Sequence, residues 1–118
     1  MSRYTEGLTG EEKAERYLCS VGMICVERRY RAMDGEIDLV MREGETIVMV
    51  EVKSRPRGRR GDGLLAVTPA KQRRIYHAAQ VYLMKREWLA FPVRFDIVEI
   101  TMDGLWHVPN AFMPGAWR

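Results

Sequence analysis

The chain has 118 residues, 47% of them hydrophobic and 30% charged, enough for one core but not for an appended module. That composition excludes a disordered chain, and no apolar run approaches the length of a membrane helix. The net charge of +3 hides an asymmetry: from Lys53 to Arg74 eight cations stand against the single acid Asp62, net +7, which leaves −4 for the rest.

The first residues, Met1 to Glu6, lead into no apolar segment of the signal-peptide kind. Thr9-Gly10-Glu11-Glu12 reads as a capping box that opens a helix running to about Val21 and stopping at Gly22. Its apolar stripe is Ala14, Tyr17, Leu18 and Val21. Glu11 flanks the start of that stripe and can lean toward a sheet, whereas Glu12 and Glu15 are expected to point further away. Cys19 and Cys25 lack Cys-x-x-Cys spacing and are expected to be reduced core residues of a cytoplasmic protein.

A first strand is predicted from Met23 to Tyr30, with a turn around Arg31 to Gly35. Next comes a hairpin, Gly35-Glu36-Ile37-Asp38-Leu39-Val40 returning as Val50-Glu51-Val52-Lys53-Ser54-Arg55. Alternation puts Glu36, Asp38 and Val40 on one face of the outgoing strand and Ile37, Leu39 and Met41 on the other. On the returning strand Ile47, Met49, Glu51 and Lys53 share a face. A two-residue loop at Gly44-Glu45, with Gly first as a type II′ turn wants, sets Asp38 opposite Glu51 and Glu36 opposite Lys53. Facing carboxylates repel, which suggests a divalent cation between them. The bland reading is a pair of solvated strand ends with a surface Glu–Lys pair.

Arg55 to Gly63 is rich in turn residues, and a mobile basic loop is expected over about 55–67. No Gly-Lys-Ser/Thr follows it, so a nucleotide P-loop is not expected. Thr68-Pro69 opens a second helix that should reach about Glu87, with Ile75, Ala79, Tyr82 and Leu83 as its core stripe. Lys71 and Gln72 flank that stripe one turn earlier, near the expected acids. After Pro92 a strand from Val93 to Thr101 should be buried on both faces, and Leu105 to Val108 should add a short edge strand. His77 and His107 show no ligand-like spacing. A tail of about 109–118, with Pro109, Phe112, Pro114 and Trp117, packs over the core or hangs loose.

The order helix, three strands, helix, strand, with Asp38 ahead of Glu51-Val52-Lys53, resembles the PD-(D/E)XK nuclease superfamily. A closer resemblance is to the YraN-like bacterial family, with its fold similar to Holliday junction resolvases and restriction endonucleases. The residues that carry it are Gly10-Glu11, Ala14, Tyr17-Leu18, Gly35 to Leu39, Val50 to Arg55, Lys71-Gln72 and Arg94 to Val98. Ile37 stands where the wider superfamily has Pro before the Asp. The resemblance implies one α/β domain over 1–118, a mixed sheet flanked by helices in αβββαβ order. It further implies that Asp38, Glu51 and the Val52 carbonyl hold Mg²⁺ (or Mn²⁺), that Lys53 is the catalytic lysine, and that Glu11 is the acid of the first helix.

The chemistry is compatible. Mg²⁺ takes few carboxylates and keeps waters, and it polarises a phosphate while acidifying an attacking water. Arg55, Arg57, Arg59, Arg60, Lys71, Gln72 and Arg74 would hold a nucleic-acid backbone, most readily DNA, without reading bases. The sequence thus points to a metal-dependent endonuclease acting on DNA, on branched or repair intermediates. A non-catalytic nucleic-acid-binding module and a protein-interaction domain using the basic loop are the alternatives. No membrane partner is expected, and a homodimer is compatible with the sequence.

Overall fold

A computed structural model of the chain describes residues 7–113. One sheet carries five strands in the order β1-β2-β3-β4-β5. They are β1 (Ile24–Ala32), β2 (Gly35–Glu43), β3 (Thr46–Arg55), β4 (Val93–Thr101) and β5 (Gly104–Phe112). Neighbours are antiparallel except β3 and β4, which run parallel because a helical crossover joins them. Helix α1 (Gly10–Ser20) covers one face of the sheet and α3 (Pro69–Arg86) the other, with the four-residue α2 (Asp62–Leu65) between β3 and α3. The α/β class and the mixed sheet follow the sequence reading.

Local chemistry starts and stops these elements. Thr9 Oγ1 accepts from the Glu12 N–H at 3.1 Å and Glu12 Oε1 from the Thr9 N–H at 2.8 Å, the expected capping box, a contribution of about 1 kcal/mol. Thr68 caps α3, with Pro69 in its first turn. The β2–β3 turn holds Gly44 at φ 62°, where an L side chain would be strained, as the loop chemistry requires. Two elements exceed the expectation. β1 runs on to Ala32, so its turn shrinks to Met33-Asp34, and β5 spans nine residues, so that Phe112 stacks on Phe95 with centroids 5.2 Å apart. Pro114 and Trp117 of the expected tail lie outside the described residues. Neither cysteine is a core residue, contrary to expectation: Cys19 is exposed and Cys25 half-buried, both as free thiols.

Two apolar layers sandwich the sheet. Ala14 and Leu18 of α1 pack on Leu39, Met41, Val48, Val50 and Val98. Ile75, Ala78, Ala79, Tyr82 and Leu83 of α3 pack on Ile37, Val40, Ile47, Met49, Phe95 and Ile97. The strand alternation holds along β3 but breaks in β1 at a bulge between Cys25 and Glu27, and again further along where β1 and β2 break together. Leu39 and Met41 lie in the α1 layer, yet Ile37 lies with Val40 in the α3 layer. Opposite them, Arg28 reaches α1 whereas Tyr30 packs in the α3 layer. At the break stand Arg29, whose φ of 53° is left-handed, and Asp38. In β1 the left-handed residue rotates the next side chain to the other face. β2 has no such residue, and its change of face falls at Asp38, where its ladder with β3 ends, so the expectation that Ile37 shares a face with Leu39 and Met41 is corrected.

β2 begins in close contact with α3. A Cβ on Gly35 would drive into the backbone carbonyl of Arg74, which sits within a helix and cannot yield. Gly35→Ala should therefore destabilise the protein by about 1–3 kcal/mol or more, the scale of overpacking. Urea unfolding measures it; a loss under ~0.5 kcal/mol would mean that the sheet and α3 are free to separate there.

Candidate active site

The β2–β3 ladder runs in the predicted register from Glu43 opposite Thr46 to Leu39 opposite Val50, and there it ends. Asp38 and Glu51 would be the next pair. In place of a ladder bond, Asp38 Oδ2 accepts the Val52 N–H at 2.7 Å. The strands part at the two acids, and a carboxylate fills the gap. The expected directly opposed pair is corrected in this respect: the two acids are close, but one of them lies in the plane of the strands as a backbone partner.

Burial and the charge of Glu51, in that order, push the Asp38 carboxyl up to about 7, against the hydrogen bond from Val52. Glu51 is 5% exposed, and its Oε2 takes Lys53 Nζ at 3.3 Å and Lys71 Nζ at 3.0 Å. Lys71, in the first turn of α3, thus reaches the acids as anticipated. Burial, helped by Lys71, lowers the pKa of Lys53; for Lys71 burial works against the charge, but contacts with Lys53 and Glu51 outweigh it and raise its pKa. Oδ1 of Asp38 and Oε1 of Glu51 have no hydrogen-bond donor among the described residues. Two such oxygens on interacting acids suit a hard cation that takes a few carboxylates and keeps waters. Among the described residues no three His, Cys, Asp or Glu side chains converge as a full metal cage.

The other expected acids lie at the rim. Glu11 accepts from Arg29 Nε at 2.8 Å, and Glu36 meets Arg31 at 3.5 Å, not Lys53. Both add, more weakly than Glu51, to the rise at Asp38. Glu15, expected to point away, instead reaches back to β1 and takes both arms of Arg28. Gln72 spends its side chain on the Val67 carbonyl, to which it donates at 3.1 Å. Arg74 is exposed on α3.

The basic segment is tied down along much of its length. Asp62 Oδ2 accepts from the Arg59 N–H, and Asp103 Oδ2 from the Arg60 N–H, both at 2.8 Å. The Arg59 side chain meets Asp103, and the Arg60 guanidinium lies 5.2 Å from the Trp106 ring centroid. Glu99, fully buried beside Lys53 in β4, accepts from the N–H groups of Gly61 and Gly63 at 2.9 and 2.8 Å. A Cβ on Gly63 would sit 2.7 Å from that of Lys53, so α2 lies hard against the candidate lysine. Arg55 and Arg57 remain exposed at the outer edge.

Sequence reasoning missed Glu99, Asp103 and Arg29. An acid inside the apolar run Phe95 to Ile100 was a signal for Glu99; nothing in the sequence marked Arg29. A second buried acid, Asp96, is consumed by structure: Arg94, the Asn110 N–H and His107 Nε2 at 2.8 Å surround it.

The family model described as "Uncharacterised protein family UPF0102" matches residues 10–100, which include every element from α1 through β4 save the last residue of that strand. A UPF0102 protein of Geobacter metallireducens is 46% identical over 110 residues, covering 90% of each chain. Another, of Persephonella marina, is 38% identical over 112 residues, covering 95% of this chain and 97% of its own. A third, of Saccharophagus degradans, is 40% identical over 114 residues with the same coverage. On the extent of the family match and on these relatives, the chain belongs to the uncharacterised protein family UPF0102.

Proposed function

We infer that the protein is a metal-dependent nuclease of the PD-(D/E)XK kind, hydrolysing phosphodiester bonds in DNA. The observation that carries this reading is the parting of β2 and β3 around Asp38 and Glu51, with Lys53 and Lys71 converging on Glu51. A carboxyl pushed up to about 7 by burial and by a second acid is the kind of perturbation that gathers at functional sites. Asp38 and Glu51, with the Val52 carbonyl, would hold Mg²⁺ or Mn²⁺. When bound, the cation would polarise the scissile phosphate and acidify the attacking water. Asp38 is held by the Val52 N–H through Oδ2, which leaves Oδ1 available to such an ion. Lys53 would offset the charge that builds on the phosphoryl oxygens. Lys71 would keep Glu51 from repelling the incoming phosphate, and Arg55 and Arg57 would contact the flanking backbone.

The reading makes the acids costly to the metal-free fold, and the sign can be worked out. Asp38 is raised from about 3.9 unfolded to about 7 folded. Its relative contribution to stability is full below pH 4 and is lost as pH rises through 7. Asp38→Asn should therefore melt near wild type at pH 4–5 but several degrees higher at pH 8. Saturating Mg²⁺ at pH 8 should raise the melting temperature of wild type and not of the variant. A wild type whose melting is indifferent to Mg²⁺ and Mn²⁺ would remove the metal from the mechanism.

Cleavage is the decisive measurement, on duplex, single-stranded, flap and four-way DNA with either metal. Lys53→Ala should bind DNA about as well as wild type and cut it at least ~100-fold more slowly, the scale of losing one electrostatic stabiliser. Joint loss of binding and cleavage would make Lys53 a phosphate contact instead. A wild type that cuts nothing would favour a binding module.

Replacing Arg57 with Ala should weaken binding alike on every sequence and lower the slope of log K against log salt by about one. Arg60→Ala should act chiefly on the melting temperature, because its guanidinium stacks on Trp106. Equal salt slopes for wild type and Arg57→Ala would take Arg57 out of the interface.

A further inference from the structure

Two neighbouring arginines of β1 meet two acids of α1, and they do so differently. Arg28 closes its fork: Nε and Nη2 donate to the two oxygens of Glu15 at 2.7 and 2.6 Å. Arg29 gives Glu11 only its Nε, at 2.8 Å. Its Nη1 and Nη2 have no acceptor among the described residues, and its side chain is 66% exposed. Its backbone sits at φ 53°, in the left-handed region that a long side chain rarely occupies. That conformation is what makes two consecutive residues, Arg28 and Arg29, both reach α1 from a strand.

A hollow of about 220 Å³ opens between α1 and β1, walled by Thr9, Glu11, Glu12, Glu15, Arg28, Arg29 and Leu39. Its three acids are already engaged, Glu11 by Arg29, Glu12 by the Thr9 N–H and Glu15 by Arg28, which leaves the Arg29 fork as the open donor in that wall. The charges of Glu36 and Asp38 both act on Arg29, so the open fork lies within the field of the acid cluster. An oligoanion brought to Glu36 and Asp38 meets their negative charge, and a guanidinium with two free Nη groups, four N–H donors in all, offsets it. Planar forks take phosphate oxygens in pairs, and a carboxylate on Nε fixes the plane of the fork.

We propose that Arg29 is a substrate-contacting residue whose two free Nη groups take the non-bridging oxygens of a nucleic-acid phosphate, and that Glu11 is its anchor and not a ligand of the cation. This rests on the nucleic-acid reading and reassigns Glu11 within it. The phosphate concerned is a neighbour of the one facing Asp38 and Glu51, since Arg29 approaches from the α1 side and Lys71 from the α3 side.

The test uses the full chain and four proteins: wild type, Arg29→Asn, Arg29→Lys and Glu11→Gln. Binding to a fluorescent duplex and a four-way junction is followed by anisotropy in Ca²⁺, over a series of salt concentrations. Mn²⁺ affinity is measured separately by electron paramagnetic resonance, with Asp38→Asn as reference. Asn tolerates the left-handed backbone, so Arg29→Asn should melt no lower than wild type. It should bind DNA about tenfold more weakly, with a salt slope smaller by about one. Arg29→Lys should restore the slope but only part of the affinity, because a point charge replaces a fork. Glu11→Gln should hold Mn²⁺ within ~2-fold of wild type yet weaken DNA binding several-fold.

Arg29→Asn binding with unchanged affinity and slope would make Arg29 a mere α1–β1 link and overturn the proposal. Glu11→Gln losing Mn²⁺ as Asp38→Asn does would return Glu11 to the cation. A wild type that binds DNA without cutting it would sink hydrolysis alone, since Arg29 is read by binding. A wild type that binds neither probe would overturn both readings.

Discussion

The hydrogen bond from the Val52 N–H to Asp38 Oδ2 is the constraint on which the rest of the site depends. A backbone donor freed by the parting of two strands must find an acceptor, and here it finds a carboxylate. That substitution does two things at once. It stops the β2–β3 ladder at Leu39 and Val50, and it fixes one oxygen of Asp38 so that the other is presented at a defined place. The acid beside it, Glu51, needs no such bond because two lysines compensate its charge. The one acid is held by the backbone and the other by cations, so the pair survives burial without a third partner.

Around this point the fold is arranged to bring chemistry from several elements to one end of the sheet. β3 supplies Glu51 and Lys53 on the face that α3 covers, and Lys71 descends from the first turn of α3 because Thr68 and Pro69 start the helix there. α2 is pressed against Lys53 at Gly63, and buried Glu99 holds its N-terminal backbone. On the other face α1 contributes Glu11 and Glu15, each answered by an arginine of β1. The break in alternation at Arg29 and Asp38 is what allows β1 and β2 to serve both layers, with Leu39 toward α1 and Ile37 toward α3.

The electrostatics are asymmetric in a way that fits a polyanion arriving from outside. The lysines at the acids are half-buried or deeper, whereas Arg55, Arg57 and Arg29 stand at the exposed edge. Buried cations tune the acids, and exposed ones meet the solvent, where their attraction is screened by salt. The segment with the most arginines is not uniformly available for that purpose. Asp103 and Trp106 engage Arg59 and Arg60 within the fold, so the cations of one run divide between structure and surface.

Much of this was legible in the sequence, because the relevant physics is local. Thr9 and Glu12 specify a helix start through their own hydrogen bonds, Thr68-Pro69 does the same, and Gly44 selects its turn. The turn sets the register, and the register brings Asp38 to Glu51. Alternation along β3 puts Glu51 and Lys53 on one face, and the start of α3 orients Lys71. What the tertiary structure alone decided concerns partners distant in the chain. That Arg29 takes a left-handed conformation and meets Glu11, that Glu99 spends its carboxylate on Gly61 and Gly63, and that Ile37 changes layers all depend on strands and helices docking together. Alternation assumes an unbroken strand, and a left-handed residue in β1 or the end of a ladder in β2 invalidates it beyond that point. Nothing in a run of consecutive arginines distinguishes the one that closes its fork from the one that leaves it open, because the acids that decide it belong to another element.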